Sequence, residues 1–563
     1  MKCIKLILSI VLFAVTLTLS AQDTALTYPA TYVETVLDAA TLQALSHTFS
    51  VDKVRRHADN TFDTRISLSY KEFDAFRALG IPYTVAPRSR AYVQMAQNYE
   101  EMTSTWRRYP TYNTYLAMMD TFRTRYPSLC EIDTILYETP AHHRILCAHI
   151  SNNLSDHEGK PSVFYTSTIH GDEVVGYYMM LRLIDYLLAN YNTNSRVTEL
   201  IDQVDLWICP LHNPDGTYYT SNNQINESPV SIRYNRHYED LNRSFPQAGQ
   251  PAKSDYEPEV EAMMTFMAAH NFTLAANFHG GAEVFNYPWD TWTTWQHSHA
   301  DAAWWEYVGH RFADTCQHYN SSYMNEEDDG VTPGGDWYVI EGSMQDYHNW
   351  YLGTRHVTIE VSDDKVLSTN YLPSYWGYIR SSLLNFIDDS RHGIHGTVTD
   401  SITGEPLEAL VYIANHDLDH SYVESVLPHG DYHRPIKAGQ YSVTYSADGY
   451  LPKTIVTQVA DGQTVLQNVQ LCKTVGIEDY ESCIAVYPNP AKDFVTVEIS
   501  GDLEIANIAL YDVNGRMVRT NLYSPLQSGS VIKLDVHDLY SGTYILHLKT
   551  ADGCEIIRKI VKQ

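Results

Sequence analysis

The chain has 563 residues, 44% of them hydrophobic and 12% aromatic, which is too long for a single core and too apolar for a disordered chain. Its 39 basic and 68 acidic side chains give a formal net charge of −29, which argues against a nucleic-acid partner or an anionic membrane surface. An acidic surface suits basic peptides, and it equally suits solubility outside a cell.

Residues 1–21 read as a secretory signal: Lys2 and Lys5, an apolar run over 7–17, then Ser20-Ala21 as small cleavage-site residues. No later run approaches the ~18 apolar residues of a membrane span, so no transmembrane segment is expected. Of the eight cysteines, only Cys3 leaves with the signal, and the odd remainder forbids complete internal pairing. Cys472 with Cys483 and Cys130 with Cys147 are the pairs that could bridge, with buried thiols as the alternative. Residues 22–102 alternate short amphipathic runs with polar turns. They show no catalytic constellation and read as a propeptide or N-terminal accessory region.

Residues 103–390 have an α/β texture. Tyr115, Met118, Met119 and Phe122 set a helix over 111–126, ahead of Pro127. Apolar runs over 145–150, 163–168, 206–211 and 274–279 read as buried strands, and 174–191 and 259–270 as helices between them. This alternation predicts a mixed or mostly parallel sheet covered by helices, with ligands at the C-terminal ends of strands.

His170 and Glu173 follow one such strand, and His279-Gly280-Gly281 ends another. Two imidazoles and a carboxylate are a ligand set for zinc that keeps a fourth position open. Glu360 stands in an apolar run, 357–361. It is either a solvent-facing strand residue or a general base, because a buried carboxylate is costly unless paired or functional. The adjacent Asn242 and Arg243 offer the donors that a terminal carboxylate calls for, and Arg233 could add charge near a polarised carbonyl. On chemistry alone, a surface arginine is the commoner outcome for either one taken singly. The acidic stretch 325–330 is a solvated loop or, alternatively, a calcium site.

These motifs occur in order over roughly 109–389: His-x-x-Glu at 170–173, Arg233 ahead of Asp240-Leu241-Asn242-Arg243, and His279-Gly280-Gly281 with Asn286-Tyr287-Pro288-Trp289-Asp290. Asp336-Trp337-Tyr338, Gly342-Ser343-Met344-Gln345-Asp346-Tyr347 and Thr358-Ile359-Glu360 complete the set. In them the chain resembles the zinc carboxypeptidases of the carboxypeptidase A superfamily, and most closely the regulatory branch with carboxypeptidases N, E and D. The resemblance implies a carboxypeptidase fold, a mixed eight-stranded-type sheet covered by helices, with zinc held by His170, Glu173 and His279. It implies Asp240 orienting His170, Glu360 as general base and Arg233 beside the oxyanion. Asn242, Arg243 and Tyr338 would bind the free C-terminal carboxylate of a peptide. Asp290 and Gln345 would line the pocket for its last side chain, implying release of Lys or Arg. Tyr347 reads as structural, and Glu283, a departure from the family pattern, is expected to alter the pocket rim. A peptidoglycan stem-peptide peptidase of the same superfamily and an inactive zinc-holding binding module are the alternatives.

From 391 the texture is all β. Residues 391–471 resemble the transthyretin-like, regulatory-like domain of such enzymes, and 472–482 read as a linker. Residues 483–563, with Val486-Tyr487-Pro488-Asn489-Pro490 and Ser541-Gly542-Thr543-Tyr544, resemble the C-terminal sorting domain of the type IX secretion system. Two small all-β sandwiches are expected. The resemblance implies passage through secretion machinery to the cell surface or beyond.

Overall fold

The computed structural model describes residues 29–87, 91–473, 484–500, 504–521, 526, 529–550 and 555–563. The expected signal and most of the 472–482 linker lie outside them.

Strands β1 (Ala30–Asp38), β2 (Ser50–Arg56), β3 (Thr61–Ser69) and the short β4 (Thr84–Val85) form an antiparallel sheet in the order β2-β3-β1-β4. Helices Ala39–Ser46 and Phe73–Ala78 connect them, and Asp38 caps the first by accepting from the Thr41 amide at 2.8 Å. Strand alternation puts Val33, Val51, Val54, Ile66 and Leu68 on one face, against Leu42, Leu45, Phe73 and Phe76. That core is continuous with Ala282, Val284 and Trp337 of the next region, so the small N-terminal sheet is packed on it.

A two-residue parallel pair, β5 (Met95–Ala96) and β6 (Tyr109–Pro110), precedes the main sheet. Its strands are β7 (Cys130–Leu136), β8 (Ile145–Ile150), β9 (Ser162–Ser167), β10 (Asp205–Cys209), β11 (Leu274–His279), β12 (Ala282–Tyr287), β13 (Val331–Pro333) and β14 (Arg355–Ser362). They pair in the order β13-β12-β14-β11-β9-β10-β8-β7. The central β10, β9, β11 and β14 are parallel, while β12 and β8 turn antiparallel towards the edges. Central strands covered on both faces need apolar side chains throughout, which is why these runs are unbroken in the sequence. The run expected over 206–211 ends earlier, at Cys209, because Pro210 has no amide to continue the ladder. Helix Val175–Asn190 buries eleven residues, in keeping with its all-round apolar sequence. Helix Tyr112–Arg125 is capped by Thr111, whose hydroxyl accepts from the Thr114 amide.

Cys130 and Cys147 are free buried thiols, contrary to the bridge that their spacing allowed. They lie on neighbouring antiparallel strands but out of register, Cys130 opposite Ile150 and Cys147 opposite Asp133. Cys472 is disulfide-bonded; its expected partner, Cys483, lies outside the described residues.

From Gly393 to Leu471 the described elements are all strands, in two four-stranded sheets. Strands from Ile484–Tyr487 to Glu555–Lys562 form a three-stranded and a four-stranded sheet around Val495, Val497, Leu510, Leu546, Leu548 and Ile560.

Candidate active site

β9 ends at Ser167, and the chain then turns sharply through Thr168, whose φ of 61° is unusual for a β-branched residue. The Thr168 amide donates to Phe278 O at 3.2 Å and its hydroxyl to Glu173 O at 2.9 Å, which fixes the turn carrying His170 and Glu173. Gly171 is required there, because a Cβ would run into the Gly216 backbone. On the neighbouring strand β11 closes on His279, and the parallel register sets Glu360 of β14 directly beside it. Sheet pairing alone therefore brings these four residues to one end of the sheet.

His170 Nδ1 lies 3.0 Å from Glu173 Oε1 and 3.1 Å from His279 Nδ1, and His279 Nδ1 lies 2.9 Å from Glu173 Oε2. His170 presents its other nitrogen, Nε2, to Asp240 Oδ1 at 3.2 Å, which seats the ring proton there and leaves Nδ1 bare. His279 Nε2 is held 2.8 Å from the Asn277 side-chain amide. Two imidazole nitrogens and a buried carboxylate thus face one point with these atoms within 4.8 Å of one another, an arrangement that fits a zinc ion. Burial opposes ionisation of Glu173, yet His170 and Lys365 carry its carboxyl well below the usual range. Among the described residues this is the one such convergence of three ligands.

Glu360 is half-buried and its Oε2 has no hydrogen-bond partner. Burial, followed by the charge of Glu173, pushes its carboxyl well above the ordinary value. Arg233 donates from Nε to Asp240 Oδ2 at 2.9 Å, and its Nη1 reaches Glu173 Oε1 at 3.3 Å and Asp52 Oδ1 at 3.2 Å. Asn242 accepts from the Met344 amide at 2.9 Å. Arg243 donates from Nη1 to Asn242 O at 3.0 Å, while its Nε and Nη2 are buried and unpartnered, as donors awaiting an anion would be.

Asp290 lines the cavity and Gln345, expected to line it too, lies behind it: Gln345 Nε2 donates to Asp290 Oδ1 at 3.0 Å, and Gln345 Oε1 accepts from the Thr358 amide at 2.6 Å. Asp346 accepts from the Asp290 and Thr291 amides, each at 2.9 Å, and so fixes the turn that carries Asp290. Burial and then the charge of Asp346 push Asp290 up to about 8; burial raises Asp346 to about 6. Tyr338 lines the same cavity, whereas Tyr347 packs against Phe245 and Tyr351. Glu283 does not reach the rim: it accepts from the Tyr375 hydroxyl at 3.0 Å and lines a separate cleft with Lys53 and Asp363. β12 alternates, so Glu283 points opposite to Val284 and away from the ligands.

Residues 22–102, which show no catalytic constellation in the sequence, supply a side chain to the site. Asp52 lines the cavity, bonded to Arg233 and to Lys365, and Lys365 Nζ also lies 2.9 Å from Glu173 Oε1 and 3.5 Å from Asp172. Ser50 donates to Asp240 Oδ2 at 2.6 Å, the Tyr32 hydroxyl bonds Asp172, and the Tyr338 hydroxyl lies 3.5 Å from Val51 O. With the N-terminal strands seated this way the cavity keeps about 20 Å³ of free space, roughly one water.

The chain matches three families: zinc carboxypeptidase over residues 115–378, carboxypeptidase regulatory-like domain over 393–472, and secretion system C-terminal sorting domain over 485–563. It is 32% identical over 373 residues to carboxypeptidase D of Mus musculus, which covers 64% of this chain and 27% of that protein. It is 30% identical over 361 residues to the carboxypeptidase N catalytic chain of Mus musculus, covering 55% of this chain and 74% of that one. The chain thus spans about a quarter of the length of the carboxypeptidase D relative. A solved structure, the carboxypeptidase A from Helicoverpa armigera, aligns with a TM-score of 0.49 at 16% identity, over 64% of this chain and 97% of that one.

Proposed function

The chain belongs to the zinc carboxypeptidase family, and from that premise we propose an exported enzyme that removes single residues from the C-termini of peptides, releasing Lys or Arg. The observation that carries this reading is the meeting of His170, Glu173 and His279 with Glu360 in register beside them.

His170, Glu173 and His279 would hold the zinc, and Asp240 fixes the tautomer of His170. Zinc bound there would supply a Lewis acid that makes water more acidic and polarises a carbonyl. Glu360 takes the proton of the water that attacks the scissile carbonyl and returns it to the departing amine. Arg233 places positive charge beside the oxyanion that develops. Asn242, Arg243 and Tyr338 bind the terminal carboxylate. Because that grip needs a free C-terminus, cleavage is confined to the last peptide bond. Asp290, supported by Gln345, meets the positive end of the last side chain; an apolar side chain would leave a buried carboxylate unpaired.

Residues 22–102 act in this reading as a cover. Asp52 takes up the cations of the site while the module is seated, so turnover requires its displacement. Residues 103–390 are the enzyme, 391–471 a regulatory-like sandwich and 483–563 the sorting domain, which is the export signal for the cell surface or beyond.

The test uses the chain cut at a site-specific protease sequence placed between residues 87 and 91. Hydrolysis of an Arg-ended peptide is expected to stop with chelator, return with zinc, and fall about 10²- to 10⁴-fold in Glu360→Gln at unchanged zinc content. Full activity of Glu360→Gln would remove the residue from its proposed role.

A further inference from the structure

The two imidazoles of the ligand set each have a second nitrogen, and the chain meets them differently. His170 Nε2 faces the carboxylate of Asp240, which Arg233 and Ser50 also hold. His279 Nε2 faces a neutral amide instead. Asn277, two residues earlier on β11 and so on the same face, has Nδ2 at 2.8 Å from it. Among the described residues this is the one side-chain partner of that nitrogen.

Asn277 is fully buried, and the other end of its amide, Oδ1, has no hydrogen-bond partner. An interior strand position would be filled as well by a leucine, without the cost of an unpaired oxygen. Packing alone gives no reason for an amide here.

The two ends of a side-chain amide are alike in size, one donating and one accepting, and a half-turn about χ2 exchanges them. With Nδ2 towards the ring, His279 Nε2 accepts and the imidazole proton lies on Nδ1, 2.9 Å from Glu173 Oε2. With Oδ1 there instead, Nε2 carries the proton and donates, and Nδ1 keeps a bare lone pair for a metal. Of the two arrangements, only the second gives Oδ1 a donor.

We infer that Asn277 is a positioning residue for zinc: its amide oxygen accepts the Nε2 proton of His279 and so presents Nδ1 of that ring to the metal. This rests on the reading of His170, Glu173 and His279 as the zinc ligands. Asn277 touches neither the ion nor the substrate and acts through His279. It does for His279 what the Asp240 carboxylate does for His170. Because an amide has both a donor and an acceptor end, it serves the ring in either tautomer, and its half-turn accompanies the exchange of the His279–Glu173 hydrogen bond for a metal.

The experiment measures the zinc affinity of the full chain, stripped of metal by a chelator, in competition with a chromophoric zinc indicator. Thermal melting of the metal-free chain is followed alongside. Asn277→Leu has the same number of side-chain atoms in the same branched outline, and should bind zinc about 10- to 100-fold more weakly, the usual cost of losing such a partner. Its metal-free form should melt close to wild type, since the unpaired oxygen goes as the bulkier methyls arrive. Asn277→Asp keeps an acceptor at the same reach and should hold zinc within about threefold of wild type. A folded Asn277→Leu that binds zinc as tightly as wild type overturns the inference, and so does Asn277→Asp weakened as far as Asn277→Leu. Wild-type zinc affinity that survives His279→Ala instead defeats the underlying reading of the ligand set. Should Asn277→Leu not fold, Asn277→Ser, whose hydroxyl is too short to reach Nε2, takes its place. The same loss is expected of it, and unchanged affinity overturns the inference equally.

Discussion

Around Arg233 the chain answers the carboxylates of Asp240 and Glu173 with its own cations, whereas Asp290, elsewhere on the same cavity wall, has the acidic Asp346 behind it. Burial opposes ionisation of Asp240 as it does of Asp290, but Arg233 and His170 overcome it and hold Asp240 well below the ordinary range. Lys365 does the same for Glu173, after His170. Arg243 also faces Asp290, yet burial and Asp346 outweigh it and leave the carboxyl at about 8. The two regions differ in the supply of positive charge and not in depth. A buried carboxylate without its counter-charge is an unfavourable arrangement unless the partner arrives with a ligand, and a Lys or Arg side chain is such a partner.

The sharpest way to break this contrast is to remove the unanswered charge. Asp290→Asn should lower kcat/KM on Arg-ended peptides by about a hundredfold or more, the cost of stranding a buried cation, and should narrow the gap to Leu-ended peptides. Steady-state kinetics on the two peptides reads both changes.

Next in size is the pH dependence. The form of Asp290 that binds a cation is the ionised one, and in the empty pocket that form is in the minority below about pH 8. Below that point kcat/KM for an Arg-ended peptide should rise about tenfold per pH unit, levelling above it, with Asp346, Arg243 and Gln345 as the groups facing the carboxyl. Asp290→Asn should lose that limb. The sign for stability is opposite: a carboxyl raised by folding favours the empty folded chain at low pH, and the benefit fades as pH climbs through about 8.

The smallest effect concerns the cation-rich side. Asp52→Ala in the full chain removes two ion pairs of the cover, to Arg233 and to Lys365, and leaves its apolar packing on Ala282, Val284 and Trp337. Peptidase activity should rise several-fold, measured as initial rate at fixed zinc. A fall would show that Asp52 serves the site instead of closing it.

The ligand set and the strand ends were legible because both obey local rules. Apolar runs that end in His170 and His279 announce buried parallel strands with polar residues at their C-terminal ends, and β8 and β11 begin and end where the sequence puts them. Glu360, for which a solvent-facing strand residue was the alternative, is half-buried with Oε2 shielded and lines the cavity. Asp52 was not legible. It is the extra residue at a bulge in β2, where the pairing jumps between Val51 and Lys53, and a bulge re-aims a side chain without any mark in the composition. Lys365 follows β14 in a turn and meets Asp52 and Asp172 only through tertiary packing.

The account turns on where a substrate is cut and what its last residue carries, so mass spectrometry of otherwise identical peptides ending in each of the twenty residues tests it most directly. With the zinc-loaded, junction-cut chain, the account predicts loss of one residue from peptides ending in Arg and Lys, little from the rest, and none in chelator. Internal cleavage, preferential loss of apolar residues, or trimming that chelator leaves untouched would contradict it.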